Sequence, residues 1–497
     1  MMTKFTTTQR NPVPNPVQLA RPLSVLLIST YELGHQPFGL ASPATWLHDL
    51  GATVTCLDTA VQDLDADAIR CAELIALYLP MHTATRLAVR VLEMVRALNP
   101  SAHLCCYGLY APVNEGFLRK LGAQTVIGGE FEQGLCALAQ RIADEPAPAD
   151  ATPRRMLQVE PVISLDRQQF RAPDRSELPA LSSYAYLDTG DGQRKVVGYT
   201  EATRGCKHLC RHCPIVPVYN GQFRVVQRDV VLDDIRRQVA AGAQHITFGD
   251  PDFLNGPKHG MSIVRALHEE FPELTYDCTI KIEHLVKHRA CLPVLRETGC
   301  LFVTSAVESV DPQILEYFDK RHTCQDFIDT VRVFRELGLT MNPTFVTFTP
   351  WTTLSGYLEL LELLAELDLI DNVPSIQYAI RLLIPRGSRL LELAHVQQII
   401  GDFDEAALCY PWRNPDPSVD RLYEDVMAIV KQAQRDNVSR RETFIRIWEV
   451  SSRACHHVIA ALPAGLDRAA ASRPAPSLSE PWYCCAEPTD EQFAPSV

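Results

Sequence analysis

The chain has 497 residues, of which 46% are hydrophobic and 22% charged, with a formal net charge of −13. That length exceeds what one hydrophobic core supports, so about two or three domains are expected. The acidic balance argues against a nucleic-acid or anionic-membrane partner, and no apolar run approaches the length of a membrane span. The first twenty residues lack a signal-peptide core, and sixteen scattered cysteines read as buried thiols plus a metal site, not as a disulfide framework. The expectation is a cytoplasmic protein.

Residues 1–20 are polar and proline-bearing and read as a mobile arm. From 21 to 143 short apolar runs at 25–30, 54–57, 74–79, 102–107 and 126–128 alternate with helical stretches. This pattern predicts a doubly wound parallel sheet of Rossmann type, whose ligand edge includes residues 31–40 and 128–132. Residues 144–193 read as a linker and a wrapping segment. From 194 to 400 the alternation resumes, with strands expected near 195–202, 246–248, 276–282, 302–306, 344–348 and 376–383. Six such repeats make a partial (β/α) barrel, whose active groups belong at the strand C-termini. Residues 401–462 read as helical, and 463–497 as a flexible tail without a packed core.

The most informative stretch is 203–214, TRGCKHLCRHCP, at the end of the first barrel strand. Cys206, Cys210 and Cys213 are spaced C-x3-C-x2-C. Thiolates select iron–sulfur clusters, zinc or copper(I). A 4Fe–4S cluster normally takes four cysteines, so three close ones point to a cubane with one iron open to a small ligand. Zinc is the alternative, but no second ligand pair of zinc spacing follows.

This loop and its six-repeat barrel resemble the radical S-adenosylmethionine (SAM) superfamily. The resemblance covers about 200–390 and implies that Cys206, Cys210 and Cys213 bind the cluster while SAM chelates the open iron. It further implies SAM contacts at Phe248, Gly249 and Asp250, where this chain has GDP in place of the commoner GGE, and at Ser305 and Glu308. His212 occupies a position usually aromatic and near adenine. Arg381 is a candidate partner for the SAM carboxylate, with structural ion pairing as the alternative. Lys281 and Glu283 are further rim candidates. A reductant such as flavodoxin or ferredoxin is the implied protein partner. Residues 21–140 resemble the cobalamin-binding domain that often precedes such barrels, although the Asp-x-His-x-x-Gly ligation signature is absent, so cobalamin is a possible further cofactor.

The tail carries Cys484–Cys485–Ala486–Glu487–Pro488 and resembles the CUAEP/CCAEP-tail radical SAM proteins. That resemblance implies transfer of the 3-amino-3-carboxypropyl group of SAM to trivalent arsenic, as in arsenical antibiotic biosynthesis. Adjacent thiolates suit a thiophilic centre such as arsenite, so Cys484 and Cys485 are expected to hold substrate, with Cys455 as a third thiolate or simply a buried helix cysteine. The thiol pair has a redox role as its alternative. The rival functions are a cobalamin-dependent radical methyltransferase or 5′-deoxyadenosyl-radical enzyme acting on a small molecule, and a non-catalytic metal or redox sensor.

Overall fold

The protein is described by a computed structural model covering residues 18–145, 157–456, 458, 461–463, 475–480 and 487. Among the described residues it is an α/β structure with two large sheets and a two-stranded one. The first contains β1 (Ser24–Ser29), β2 (Thr53–Asp58), β3 (Leu74–Tyr78), β4 (His103–Tyr107), β5 (Thr125–Gly129) and β6 (Ile163–Ser164), in the order β2-β1-β3-β4-β5-β6. All pairs are parallel. Strands β3, β4 and β5 are buried along their whole length, because helices cover both faces. Phe38–Asp49 and Glu132–Asp144 pack on one face through Leu40, Leu47, Leu135 and Ile142. His82–Leu98 packs on the other through Ala88, Val91, Leu92 and Val95.

The second sheet contains β7 (Tyr186–Asp188), β8 (Arg194–Thr200), β11 (His245–Phe248), β12 (Thr275–Thr279), β13 (Cys300–Glu308), β14 (Thr340–Phe345) and β15 (Ser477–Leu478). Its order is β14-β13-β12-β11-β8-β7-β15, parallel from β8 through β14 and antiparallel beyond. A small hairpin of β9 (Thr203–Gly205) and β10 (Phe223–Val225) follows β8. The sixth barrel strand expected at 376–383 is instead a 3-10 turn, Ser375–Ala379, and a single bridge between Phe348 and Arg381. The Gln377 side chain accepts the Phe345 N–H at 2.9 Å, where a strand carbonyl would otherwise do so.

Two boundaries also differ from expectation. The wrapping segment donates β6 to one sheet and β7 to the other, and the tail is partly docked, with β15 paired on β7. Helices Pro417–Arg435 and Arg440–His456 close the barrel's outer side through Leu422, Val426, Phe444 and Trp448.

Candidate active site

The cysteine segment is a loop pinched at its base by the β9/β10 hairpin. Gly205 has φ +74, and a Cβ there would lie 2.2 Å from the Tyr219 ring. Only glycine accommodates both the left-handed backbone and that ring. Asn255 ties the loop down, donating to the Gly205 carbonyl and accepting the Lys207 N–H. On its far side the Arg211 backbone and guanidinium donate to carbonyls of Phe318, Glu316 and Tyr317.

The loop faces a cavity of about 290 Å³ between the two units. Cys206, Cys210 and Cys213 line it together with loop residues that follow β1, β3, β4 and β5 and strand-end residues of the barrel. Burial raises the Cys206 and Cys210 thiols above their usual range, and the neighbouring cysteines add to the effect. Such thiols ionise when a cation binds them. Among the described residues no other cysteine lines the cavity.

The remaining sequence candidates divide into two groups. Gly249 lines the cavity, and a Cβ there would meet the Tyr199 hydroxyl at 1.9 Å. His212 and Glu308 also line it, 3.1 Å apart, with Lys320 3.2 Å from the same carboxylate. A register shift between Ala306 and Glu308 turns Glu308 inward, with φ +68. Burial works to raise Glu308, but Lys320 and His212 hold it down at about 2. His212 is buried and neutral in tendency, its ring 4.3 Å from that of Phe318.

The others point elsewhere. Phe248 is fully buried against Phe253 and Tyr276 in the barrel core. Asp250 accepts the Ala202 N–H and the Thr203 hydroxyl, so it braces the start of the cysteine hairpin from behind. Ser305 donates to the Ile280 carbonyl inside the sheet. Arg381 stacks 3.7 Å over Trp412 and pairs with Asp420 and Glu487, which corrects its expected role at the SAM carboxylate: its charge is already committed. Cys455 sits half-buried on the outer helix Arg440–His456, packed on the barrel core and away from the cavity, so it supplies no third thiolate there. Cys484 and Cys485 lie outside the described residues. Lys281 lines the cavity and pairs with Glu283 at 3.1 Å.

Sequence reasoning missed Lys320, His35, His82, Arg204, Asp252 and His284. Arg204 is the clearest omission, since the motif itself contains it. It is buried, 2.7 Å from Glu132 and 2.8 Å from Glu201, with its guanidinium over Phe38, Phe131 and Phe170. A charge run can be read from sequence, but a cation inserted across a domain boundary needs the tertiary contact.

Residues 200–368 match the radical SAM superfamily. This segment carries the chain's likeness to that superfamily. The radical SAM match begins at the end of β8 and contains the whole cysteine loop and β9 to β14. Similar curated proteins include the hopanoid C-3 methylase of Methylococcus capsulatus, 24% identical over 30% of this chain and 29% of that protein. Another is the tRNA-2-methylthio-N(6)-dimethylallyladenosine synthase of Desulfosudis oleivorans, 24% identical over 45% of this chain and 49% of that one. The chain thus spans less than half of either relative. Among solved structures, the cobalamin-dependent SAM radical enzyme OxsB aligns with TM-score 0.63 at 13% identity, over 87% of this chain and 73% of that one. The radical SAM methyltransferase TsrM of Kitasatospora setae aligns with TM-score 0.56 at 18% identity, over 69% and 71%. These likenesses show a shared fold that extends beyond the radical SAM segment into the Rossmann-like unit.

The superfamily uses a 4Fe–4S cluster and SAM, and three converging thiols beside a small-molecule cavity fit both. A corrinoid is tested by the opposite wall. Leu33, Pro80, Met81, Leu109, Tyr110 and Phe131 make it largely apolar. In that wall His82 Nε2 lies 2.7 Å from the Ala407 carbonyl, leaving a buried Nδ1 without a hydrogen-bond partner. Burial lowers His82 to about 4, so its ring is neutral, the form that binds a metal. An apolar wall with an uncommitted imidazole nitrogen fits a corrinoid. The pair Gly128–Gly129 adds nothing to that fit, since Pro112 and the Ser164 carbonyl already occupy the space beside them.

Proposed function

We propose that the chain is a radical SAM transferase that moves a methyl group derived from SAM onto a small molecule in the cavity between its two units. One observation carries this reading: the three cysteines and the strand-end loops of the Rossmann-like unit line a single cavity. The similarity to methylases and to cobalamin-dependent folds supports it. In this reading Cys206, Cys210 and Cys213 hold the cluster, Gly249, His212 and Glu308 border SAM, and His82 faces a corrinoid. A bound cluster supplies the electron that splits SAM, and a bound corrinoid supplies a carrier for the methyl group. The chain's own part is enclosure and placement. Gly249 lets the Tyr199 hydroxyl pack against its backbone at the cavity wall, Lys320 and Glu308 hold opposite charges fixed in the wall, and the apolar loops keep water out. The small-molecule substrate and a flavodoxin- or ferredoxin-type reductant are the expected partners.

Transfer of the aminocarboxypropyl group to arsenic has less behind it. The thiolates expected to hold arsenic there, Cys484 and Cys485, lie outside the described residues, and none of the similar proteins named above is described as acting on arsenic. The direct test is corrinoid retention. Protein incubated with hydroxocobalamin and gel-filtered is expected to retain a stoichiometric corrinoid by absorbance, and His82→Ala to weaken that retention at least tenfold. A chain that retains no corrinoid contradicts this reading.

A further inference from the structure

Beside the cysteine loop lies a second cluster of metal-ligating groups. His208 comes from the loop itself, Asp252 follows β11, and His284 lies on the helix Ile282–Lys287 after β12. All three are almost fully buried, and one ligand atom from each lies within 4.8 Å of the others. His208 Nε2 is 3.1 Å from His284 Nε2 and 3.6 Å from Asp252 Oδ2. His284 Nδ1 is 2.8 Å from Asp252 Oδ2. Ligands at about 2.0–2.2 Å from one metal stand roughly 3.0–3.6 Å apart, so whichever His284 nitrogen serves, two of the three pairs stand near that spacing and the third lies within 4.8 Å.

The hydrogen positions point the same way. His208 Nδ1 lies 3.3 Å from Glu283, itself held by Lys281 at 3.1 Å. That carboxylate stands behind the ring as an ion-pair neighbour, and Nε2 faces Asp252 and His284. A carboxylate behind a metal-binding imidazole is the usual support for such a ligand. His284 Nδ1 faces a carboxylate oxygen of Asp252. The contact is not aligned as a hydrogen bond, so this buried Nδ1 is left without one. A buried ring nitrogen without an aligned hydrogen bond is costly, and a cation between it and the carboxylate would satisfy both.

We infer that His208, Asp252 and one ring nitrogen of His284 bind a divalent cation of the zinc or iron(II) class, separate from the iron–sulfur cluster. Two histidines and one carboxylate form a three-ligand set that leaves coordination positions open. His208 and Asp252 line the cavity, so those positions face the bound small molecules. The site does not depend on methyl transfer or on a corrinoid.

The test uses the holoprotein with its cluster reconstituted, loaded with zinc(II), desalted and analysed for metals and by zinc-edge X-ray absorption. One zinc per chain in a nitrogen/oxygen shell near 2.0–2.1 Å is expected. Asp252→Asn and His284→Gln are each expected to weaken zinc retention at least tenfold while iron and sulfide per chain stay unchanged. Three results overturn the inference: no zinc retained by the wild type, a zinc–sulfur shell near 2.3 Å showing zinc in the cysteine site, or zinc retained equally by the variants. The wild-type spectrum decides the matter even where a variant fails to fold.

Discussion

Glu308 shows how one residue can be both strained and stabilising. Its φ of +68 lies in a region that costs a side chain about 1–3 kcal/mol, and the bulge beside it is what imposes that angle. In return its carboxylate reaches Lys320 and His212 in a buried wall. Because its folded-state value is held down at about 2 against an ordinary 4.5, its contribution is fully present above pH 4.5. That contribution is lost as pH falls from 4.5 through about 2, and its size is on the order of 3 kcal/mol. Acid unfolding of the metal-free protein is therefore expected to be steep over this window. In Glu308→Gln the slope of stability against pH flattens there, and the variant is destabilised at neutral pH by Lys320 left without its partner. Equal slopes for wild type and variant would remove Glu308 from the account.

At the scale of elements, the cysteine loop depends on Gly205 as much as on its thiols. Gly205→Ala places a methyl group inside the Tyr219 ring and forces a left-handed alanine. The expected result is a loss of about 1–3 kcal/mol of stability and a fall in iron incorporated on reconstitution. Iron content and unfolding temperature equal to wild type would contradict it. The same loop shows what a sequence reveals and what it hides. Cys206, Cys210 and Cys213 were legible because their spacing is local and their chemistry narrow. The strands from β1 to β5 and from β8 to β14 were legible because fully covered strands are apolar runs. The sixth barrel strand misled, because the apolar stretch near Gln377 has the composition of a strand while its side chain takes over a strand's hydrogen bond. Phe248 and Ser305 sit at the right strand ends, but their side chains turn into the core, and a period-two register is fixed only by packing.

At the scale of the whole molecule, function rests on how the two units meet. Arg204 leaves the base of the cysteine loop and enters the Rossmann-like unit, where Glu130 and Glu132 flank it and Phe131 lies under its guanidinium. Tyr219 donates to Glu130 from the same loop, and Gln168 donates to Glu132. Buried charges in such a network are costly unless all partners are present, so it fixes the docking of the two units. None of this was visible in either half read alone. Arg204 and Tyr219 lie more than seventy residues from Glu130 and Glu132, and single charged residues look like solvated surface. The docking encloses one reaction space, and that enclosure underlies the reading of the chain as a methyl-transferring radical SAM enzyme.

The most direct measurement is the product balance of SAM on anaerobically reconstituted, reduced protein supplied with corrinoid, with and without arsenite. The account predicts S-adenosylhomocysteine or 5′-deoxyadenosine, dependent on Cys206, Cys210 and Cys213 and indifferent to arsenite. 5′-Methylthioadenosine as the main product, with an aminocarboxypropyl–arsenic adduct when arsenite is present, would contradict it.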